Sequence, residues 1–171
     1  MPLIPFDSLP DHARVWVFPG SRGLTTAESA RLLATADQFL SSWTAHQVPL
    51  NPGRDWRLDQ FLLVAVDERA AGASGCSIDA LVRSARVLER DFDLTLTDNR
   101  PVWFRNAEGG IETAGREAFQ QLADAGVVTP ETTVFDHTVQ TVGALRGGRW
   151  EVAARESWHG EVFFRSVVRK P

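Results

Sequence analysis

Apolar residues follow the helical period in the segment after Thr25. They recur every three or four residues between Leu32 and Trp43, which is the spacing of one face of an α-helix. Thr25 and Glu28 have the spacing of a capping box, in which each side chain binds the backbone N–H of the other residue. The pattern therefore predicts a helix that begins after Thr25 and ends near His46, before a segment that contains proline and glycine.

A run of six apolar residues, Phe61–Val66, has the length of a strand and contains no polar position. Such a run is typical of a central strand that is buried on both faces. A shorter strand is predicted over residues 14–18. Two further helices are predicted over residues 78–90 and 116–125, and Gly126 follows the second of these at the position where helices commonly end.

The second half of the chain carries mixed signals. Residues 94–97 and 102–104 flank a segment of turn-forming residues, which predicts a β-hairpin. Residues 132–135 are rich in strand-forming residues, but the apolar positions from Phe135 to Leu145 also follow helical spacing. The pattern leaves both interpretations open there.

Two short strands are predicted near the end of the chain, over residues 150–152 and 162–164. The whole order of elements, in which strands and helices alternate and then mix, is typical of an α+β fold. We therefore predict a single compact α+β domain over residues 1–171, with a mixed β-sheet and about three helices packed on it.

The composition is ordinary for a globular protein, with 43% apolar and 23% charged residues and a net charge of −4. A single cysteine excludes an internal disulfide, which is typical of a reducing compartment. No apolar run is long enough to span a bilayer, and the first residues lack the pattern of a secretory signal. We expect a cytoplasmic protein that makes no membrane contact.

The near absence of lysine and the absence of tyrosine exclude several chemistries. Lys170 is the only lysine, so the chain contains no phosphate-binding loop of the Gly-x-x-x-x-Gly-Lys type and no central lysine for a Schiff base. Tyrosine is absent. No cofactor is expected, and no pattern in the sequence indicates an oligomeric state.

Cys76 lies between the predicted buried strand and the helix that follows it, among Ser74, Gly75 and Ser77. Free backbone N–H groups and the helix dipole at such a point favour negative charge, and they can activate a thiol as a nucleophile. The turn could thus bind an anionic or carbonyl-bearing small molecule. Alternatively, the serines cap the helix and Cys76 packs as a small apolar residue.

Four other residues are candidates for the same site. Asp67 and Glu68 end the strand, and because adjacent strand residues point to opposite faces, only one of them can face a given cleft. It could orient a histidine or bind the ligand, or the pair could simply end the strand. His137 and His159 are candidate bases for Cys76. The histidine and cysteine spacings match no local zinc motif, so no metal site is predicted.

Arg83, Arg86 and Arg90 lie opposite the apolar stripe of the second predicted helix. At these spacings they share one face, which could bind an acidic protein surface or RNA phosphates, or could simply be solvated. The negative net charge and the lack of interleaved aromatic residues argue against nucleic acid. A non-catalytic interaction module is therefore the alternative to a small-molecule site.

Three strings resemble an uncharacterised bacterial protein family, some of whose members are labelled ABC transporter ATPases. They are Asp-His-Ala-Arg-Val-Trp-Val over residues 11–17, Ala-Ser-Gly-Cys-Ser-Ile-Asp over residues 73–79, and Ser-Trp-His over residues 157–159. The resemblance spans most of the chain, and the middle string is its most specific part. It implies no established activity and assigns no site residue. The ATPase label conflicts with the missing phosphate-binding loop.

Overall fold

The computed structural model describes residues 3–69 and 72–165, and the chain groups into two compact units. Unit 1 comprises residues 1–98 and 139–146, and unit 2 comprises residues 99–138 and 147–171. The fold is α+β, as predicted. The organisation of residues 1–171 as one domain stays a prediction.

In chain order, the elements are β1 (Arg14–Pro19), α1 (Thr26–Leu40), β2 (Thr44–Ala45), β3 (Val48–Pro49), β4 (Pro52–Arg57), β5 (Phe61–Val66), α2 (Gly75–Phe92), β6 (Val102–Arg105), β7 (Ile111–Ala114), α3 (Arg116–Asp124), β8 (Thr133–Phe135), α4 (Val142–Arg146), β9 (Glu151–Ala153) and α5 (Trp158–Phe163). Unit 2 holds β6–β9, α3 and α5, and unit 1 holds the other elements. Short 3₁₀ turns cover Phe6–Ser8 and Ala154–Glu156.

The sheet of unit 1 has the strand order β1-β5-β4, with both pairings antiparallel. All six residues of β5 are buried, which confirms the predicted central strand. Leu62, Val64 and Val66 lie in one apolar cluster with side chains of α1 and α2, so both helices cover the same face of the sheet.

The prediction of a mixed sheet is wrong, because every strand pair among the described residues is antiparallel. Short connections account for much of this, since neighbouring parallel strands need a crossover of a dozen or more residues. The strands β4 and β5 are joined directly at Leu58–Gln60, and β2 and β3 at His46–Gln47. His46 and Gln47 have φ values of 50° and 64°, in the left-handed region that a tight hairpin turn of this length requires.

The helices α1 and α2 run antiparallel: the end of each helix lies beside the start of the other. Trp43, just after α1, donates its indole N–H to the Ser77 carbonyl at the start of α2 over 2.9 Å. Arg22, just before α1, donates to the Phe92 carbonyl at the end of α2 over 2.7 Å. The predicted capping box at Thr25 is confirmed.

Helix α1 ends at Leu40, six residues before the predicted end at His46. The hydroxyls of Ser41 and Ser42 donate to the carbonyls of Gln38 and Phe39, and so they satisfy the acceptors that a further turn would have used. The chain then enters the β2–β3 hairpin.

The sheet of unit 2 has the order β7-β6-β8-β9. Phe104 and Val134 on this sheet share an apolar cluster with Phe119 of α3 and Phe163 of α5. Helix α3 ends in a Schellman motif: Gly126 has φ 71° and donates to the Ala123 carbonyl, and Val127 donates to the Leu122 carbonyl. The predicted end of this helix is therefore confirmed.

Two sequence predictions for the second half are wrong. Strand β6 pairs with β7 rather than with residues 94–97, and residues 162–164 fall largely in α5 rather than in a strand. The hairpin therefore forms with the following segment of the chain rather than the preceding one, and the apolar residues Phe163 and Phe164 pack in the buried cluster of unit 2. Residues 132–135, where the pattern left strand and helix open, contain the strand β8, and the strand predicted over residues 150–152 is present as β9, shifted by one residue.

Glu89 explains why residues 94–97 do not form a strand. Its carboxylate accepts hydrogen bonds from the Leu96 N–H, the Thr97 N–H and the Thr97 hydroxyl at 2.7–2.8 Å. Burial alone would raise the pKa of Glu89, but these hydrogen bonds outweigh it and lower the pKa below its ordinary value. The Glu89 carboxylate thus ties the segment after α2 to the helix, and Leu94 and Leu96 of that segment are buried in the apolar cluster of unit 1.

Replacing Glu89 with alanine should lower the free energy of unfolding by about 2–3 kcal/mol, because hydrogen bonds to a charged group are lost together. Urea unfolding of the full chain at pH 7 measures the change. Glu117→Ala removes an exposed carboxylate in the first turn of α3 and serves as the control. An equal loss in both variants would contradict the role assigned to Glu89.

Candidate functional site

The turn before α2 is organised as a helix cap. Ser77 donates its N–H to the Ser74 hydroxyl over 3.3 Å, and Ser74 donates its N–H to the Ser77 hydroxyl over 2.8 Å. The Ser77 hydroxyl in turn donates to the Ser74 carbonyl. Ser77 is buried, so its hydroxyl holds the backbone of the turn and does not face solvent.

Cys76 is exposed in the first turn of α2, next to the exposed Gly75. The interpretation of Cys76 as a packed apolar residue is therefore wrong, and its thiol is accessible to reagents. Cys76 belongs to unit 1, whereas His137 and His159 belong to unit 2. The pairing of the thiol with either histidine stays a prediction.

Asp67 and Glu68 each bind a basic side chain at the end of β5. The Nε2 atom of His12 lies 2.8 Å from an Asp67 carboxylate oxygen, and this hydrogen bond lowers the pKa of Asp67. Arg14 donates to the Glu68 carboxylate over 3.3 Å. The sequence indicated that one of the two carboxylates could orient a histidine, but it did not indicate His12, which is 55 positions away.

His159 is almost completely buried, with 1% of its surface exposed. Its Nδ1 atom lies 2.8 Å from the Ser157 hydroxyl, and its ring stacks on Trp158 at a centroid distance of 3.8 Å. Burial lowers the pKa of His159 to about 4, against an opposing attraction to Asp136. The ring is therefore neutral at pH 7, and its partners are all within unit 2.

His137 is the second buried histidine of unit 2. Its Nδ1 atom accepts a hydrogen bond of 3.2 Å from the Trp150 indole N–H, and its ring lies edge-on to Trp103. Burial lowers the pKa of His137 to about 3. This effect outweighs the nearby negative charge of Asp136, which by itself would raise the pKa. Both candidate bases thus sit among aromatic rings and are uncharged at neutral pH.

Arg83, Arg86 and Arg90, named here the arginine face, are all exposed on α2. No ion pair joins any of them to a carboxylate within 4 Å among residues 3–69 and 72–165. Arg54, by contrast, forms a bidentate ion pair with Asp37, in which its Nε and Nη2 atoms lie 2.7 and 2.8 Å from the two carboxylate oxygens. The predicted shared face is therefore present and forms no ion pair among the described residues, although Arg86 attracts the Glu89 carboxylate.

An open groove of about 470 Å³ runs between α1 and α2 and is named here the helix groove. It is lined by Thr35, Gln38, Phe39, Ser42, Ala80, Arg83, Ser84 and Val87. Arg83 thus belongs to both the groove and the arginine face. Sequence analysis missed this groove because Phe39 belongs to the core stripe of α1, and only the crossing of the two helices leaves it half-buried.

The buried histidines predict acid sensitivity. In the unfolded chain a histidine binds a proton below about pH 6.5, but folded His137 and His159 do so only near pH 3 and 4. Between pH 6.5 and 4 the unfolded state therefore holds more protons than the folded state. The free energy of unfolding should fall by up to about 2.7 kcal/mol for each unit by which the pH is lowered. Urea titrations of the full chain across this range measure the slope.

The variant His159→Asn should reduce that slope by about one proton, or about 1.4 kcal/mol per pH unit. The exposed His46, replaced by asparagine, serves as the control. A slope in His159→Asn equal to that of the parent protein would contradict the buried, neutral state of His159.

Because Cys76 is exposed, a maleimide should label the folded protein completely, at a rate close to that in denaturant. Intact-mass measurement over time follows the reaction, and Cys76→Ser checks that no other group is labelled. Protection of the thiol until the chain unfolds would contradict its exposed position and remove it from any site.

No protein-family model, curated protein or solved structure matches this chain. The resemblance to the bacterial family therefore stays a prediction. Among the described residues, no group of three histidine, cysteine, aspartate or glutamate side chains could hold a metal ion. In the same part of the chain, no helix has the length and hydropathy needed to cross a membrane.

Proposed function

We propose that this protein is a non-catalytic interaction module that binds an acidic amphipathic helix of a partner protein in the helix groove. The observation that carries the proposal is the arginine face, which forms no ion pair among the described residues, beside an open groove with an apolar floor. A helix laid into a groove is a common mode of peptide recognition, in which apolar anchors fill the groove and flanking charges select the partner.

Charge supports this choice of partner. Half of the arginines of unit 1 have a carboxylate partner; these are Arg14, Arg22, Arg54, Arg57 and Arg146. On the arginine face, three guanidinium groups project from two turns of one helix, and none of them has such a partner among the described residues. An acidic segment would compensate this charge, whereas a basic segment would be repelled.

The groove supports a helical ligand with an apolar stripe. Phe39, Ala80 and Val87 provide apolar surface, and Val87 is 38% exposed. The hydroxyls of Thr35 and Ser84 lie along the same groove. Because α1 and α2 are antiparallel neighbours pinned at both ends, the groove is already formed before a ligand binds, which lowers the entropic cost of binding.

A small-molecule site at the turn around Cys76 is the second candidate. The exposure of Gly75 and Cys76 in the first turn of α2 favours it, since an anionic or carbonyl oxygen could approach the free N–H groups there. The capping role of the Ser74 and Ser77 side chains argues against catalysis, because those hydroxyls hold the turn.

The proposal is tested with a synthetic peptide that has a helical leucine stripe flanked by glutamates, labelled for fluorescence anisotropy. Arg83→Glu/Arg86→Glu should weaken its binding to the full chain at least about tenfold, because two attractive charges become repulsive. The matched control is Arg69→Glu/Arg149→Glu, which reverses two exposed arginines outside the groove. Rising salt should weaken binding to the parent protein.

Three outcomes would contradict the proposal. The first is equal weakening in the control variant, which would indicate non-specific charge attraction. The second is equal binding of a peptide in which lysine replaces each glutamate. The third is unchanged binding in Arg83→Glu/Arg86→Glu together with complete loss after maleimide labelling of Cys76, which would favour the turn before α2.

A further inference from the structure

A second open groove, about 590 Å³ in volume, lies entirely within unit 2 and is named here the sheet groove. It is lined by the β6–β7 hairpin, the end of α3 and the segment 127–133. We propose that the sheet groove binds a peptide segment that carries lysine or arginine next to an apolar residue. This inference is independent of the proposed function, because it concerns another unit and the opposite charge.

The floor and one wall of the sheet groove are apolar. Phe104 and Val128 belong to the buried cluster of unit 2, and Leu122 packs against that cluster. Val127 beside them is 67% exposed, more than any other large apolar side chain among the described residues. Its backbone is fixed by the Schellman motif at the end of α3, so the apolar wall is held in place without a ligand.

The opposite rim carries two carboxylates that lack a cationic partner among the described residues, Glu108 and Glu112. Glu112 lies opposite Phe104 in the β6–β7 ladder, so its side chain is on the same face of the sheet as the apolar floor. A cation bound there would therefore sit beside an apolar surface.

Asn106 fixes this rim. Its amide donates to the Glu112 carboxylate over 2.8 Å, and its side-chain oxygen accepts from the Glu108 and Gly110 N–H groups at 3.0 and 2.8 Å. The Glu112 carboxylate and the Glu108 backbone are thus tied to one side chain. A preformed rim loses little conformational freedom when a ligand binds.

The other charges of the sheet groove are already compensated. Arg105 binds Glu151 and the Gly109 carbonyl, and Glu131 binds Arg155. The net charge offered to a ligand is therefore negative. Because the groove is open along its length, it fits an extended peptide better than a small molecule, which is usually enclosed on most sides.

The probe is a synthetic peptide of alternating valine and arginine with blocked ends, added to the full chain labelled with ¹⁵N. Chemical shifts should move in the segments 105–112 and 127–133, and Glu108→Gln/Glu112→Gln should weaken binding about tenfold. Glutamine at position 112 can still accept the Asn106 hydrogen bond, so the rim keeps its shape. Val127→Ser should weaken binding by removing apolar contact from an exposed position.

The matched control is Glu117→Gln/Glu161→Gln, which neutralises two exposed carboxylates of unit 2 outside the groove. Equal weakening in this control would overturn the proposal, and so would equally tight binding of N-acetylarginine amide, which would make the groove a site for small cations. Retained binding in Arg83→Glu/Arg86→Glu is expected, so failure here and failure of the proposed function are distinguishable.

Discussion

The strand β5 cannot leave either face in water, because all six of its side chains are apolar and buried. One face must therefore be covered by apolar stripes of helices, and α1 and α2 provide them. Once those stripes are used in the core, the outward half of α2 contributes little to folding and can carry charge. One side of α2 thus packs in the core, and the opposite side carries the arginine face.

The surface charge of the molecule is also unevenly distributed. A net charge of −4 describes the molecule as nearly neutral for its size, yet two grooves of the molecule carry charges of opposite sign. The arginine face lies on α2 of unit 1, and Glu108 and Glu112 lie on the β6–β7 hairpin of unit 2. Average charge therefore predicts little about what either surface attracts.

Local signals in the sequence predicted local structure well. The capping box at Thr25, the apolar run 61–66 and the glycine after α3 act within a few residues, and each predicted element is present. Signals that depend on partners outside the predicted element failed: the apolar pattern of 94–97 could not reveal that Glu89 would bind its backbone. The same reason explains why His12 was missed as the partner of Asp67, and why the two grooves, each formed by separate segments, were not predicted.

The β2–β3 turn has a further consequence for engineering. His46 and Gln47 both occupy the left-handed region, where residues other than glycine and asparagine are held at a cost of roughly 1–2 kcal/mol each. This exposed turn is therefore a position at which the free energy of unfolding can be raised by substitution. Asparagine and glycine at these positions would raise the free energy of unfolding, so that the protein could tolerate destabilising substitutions elsewhere.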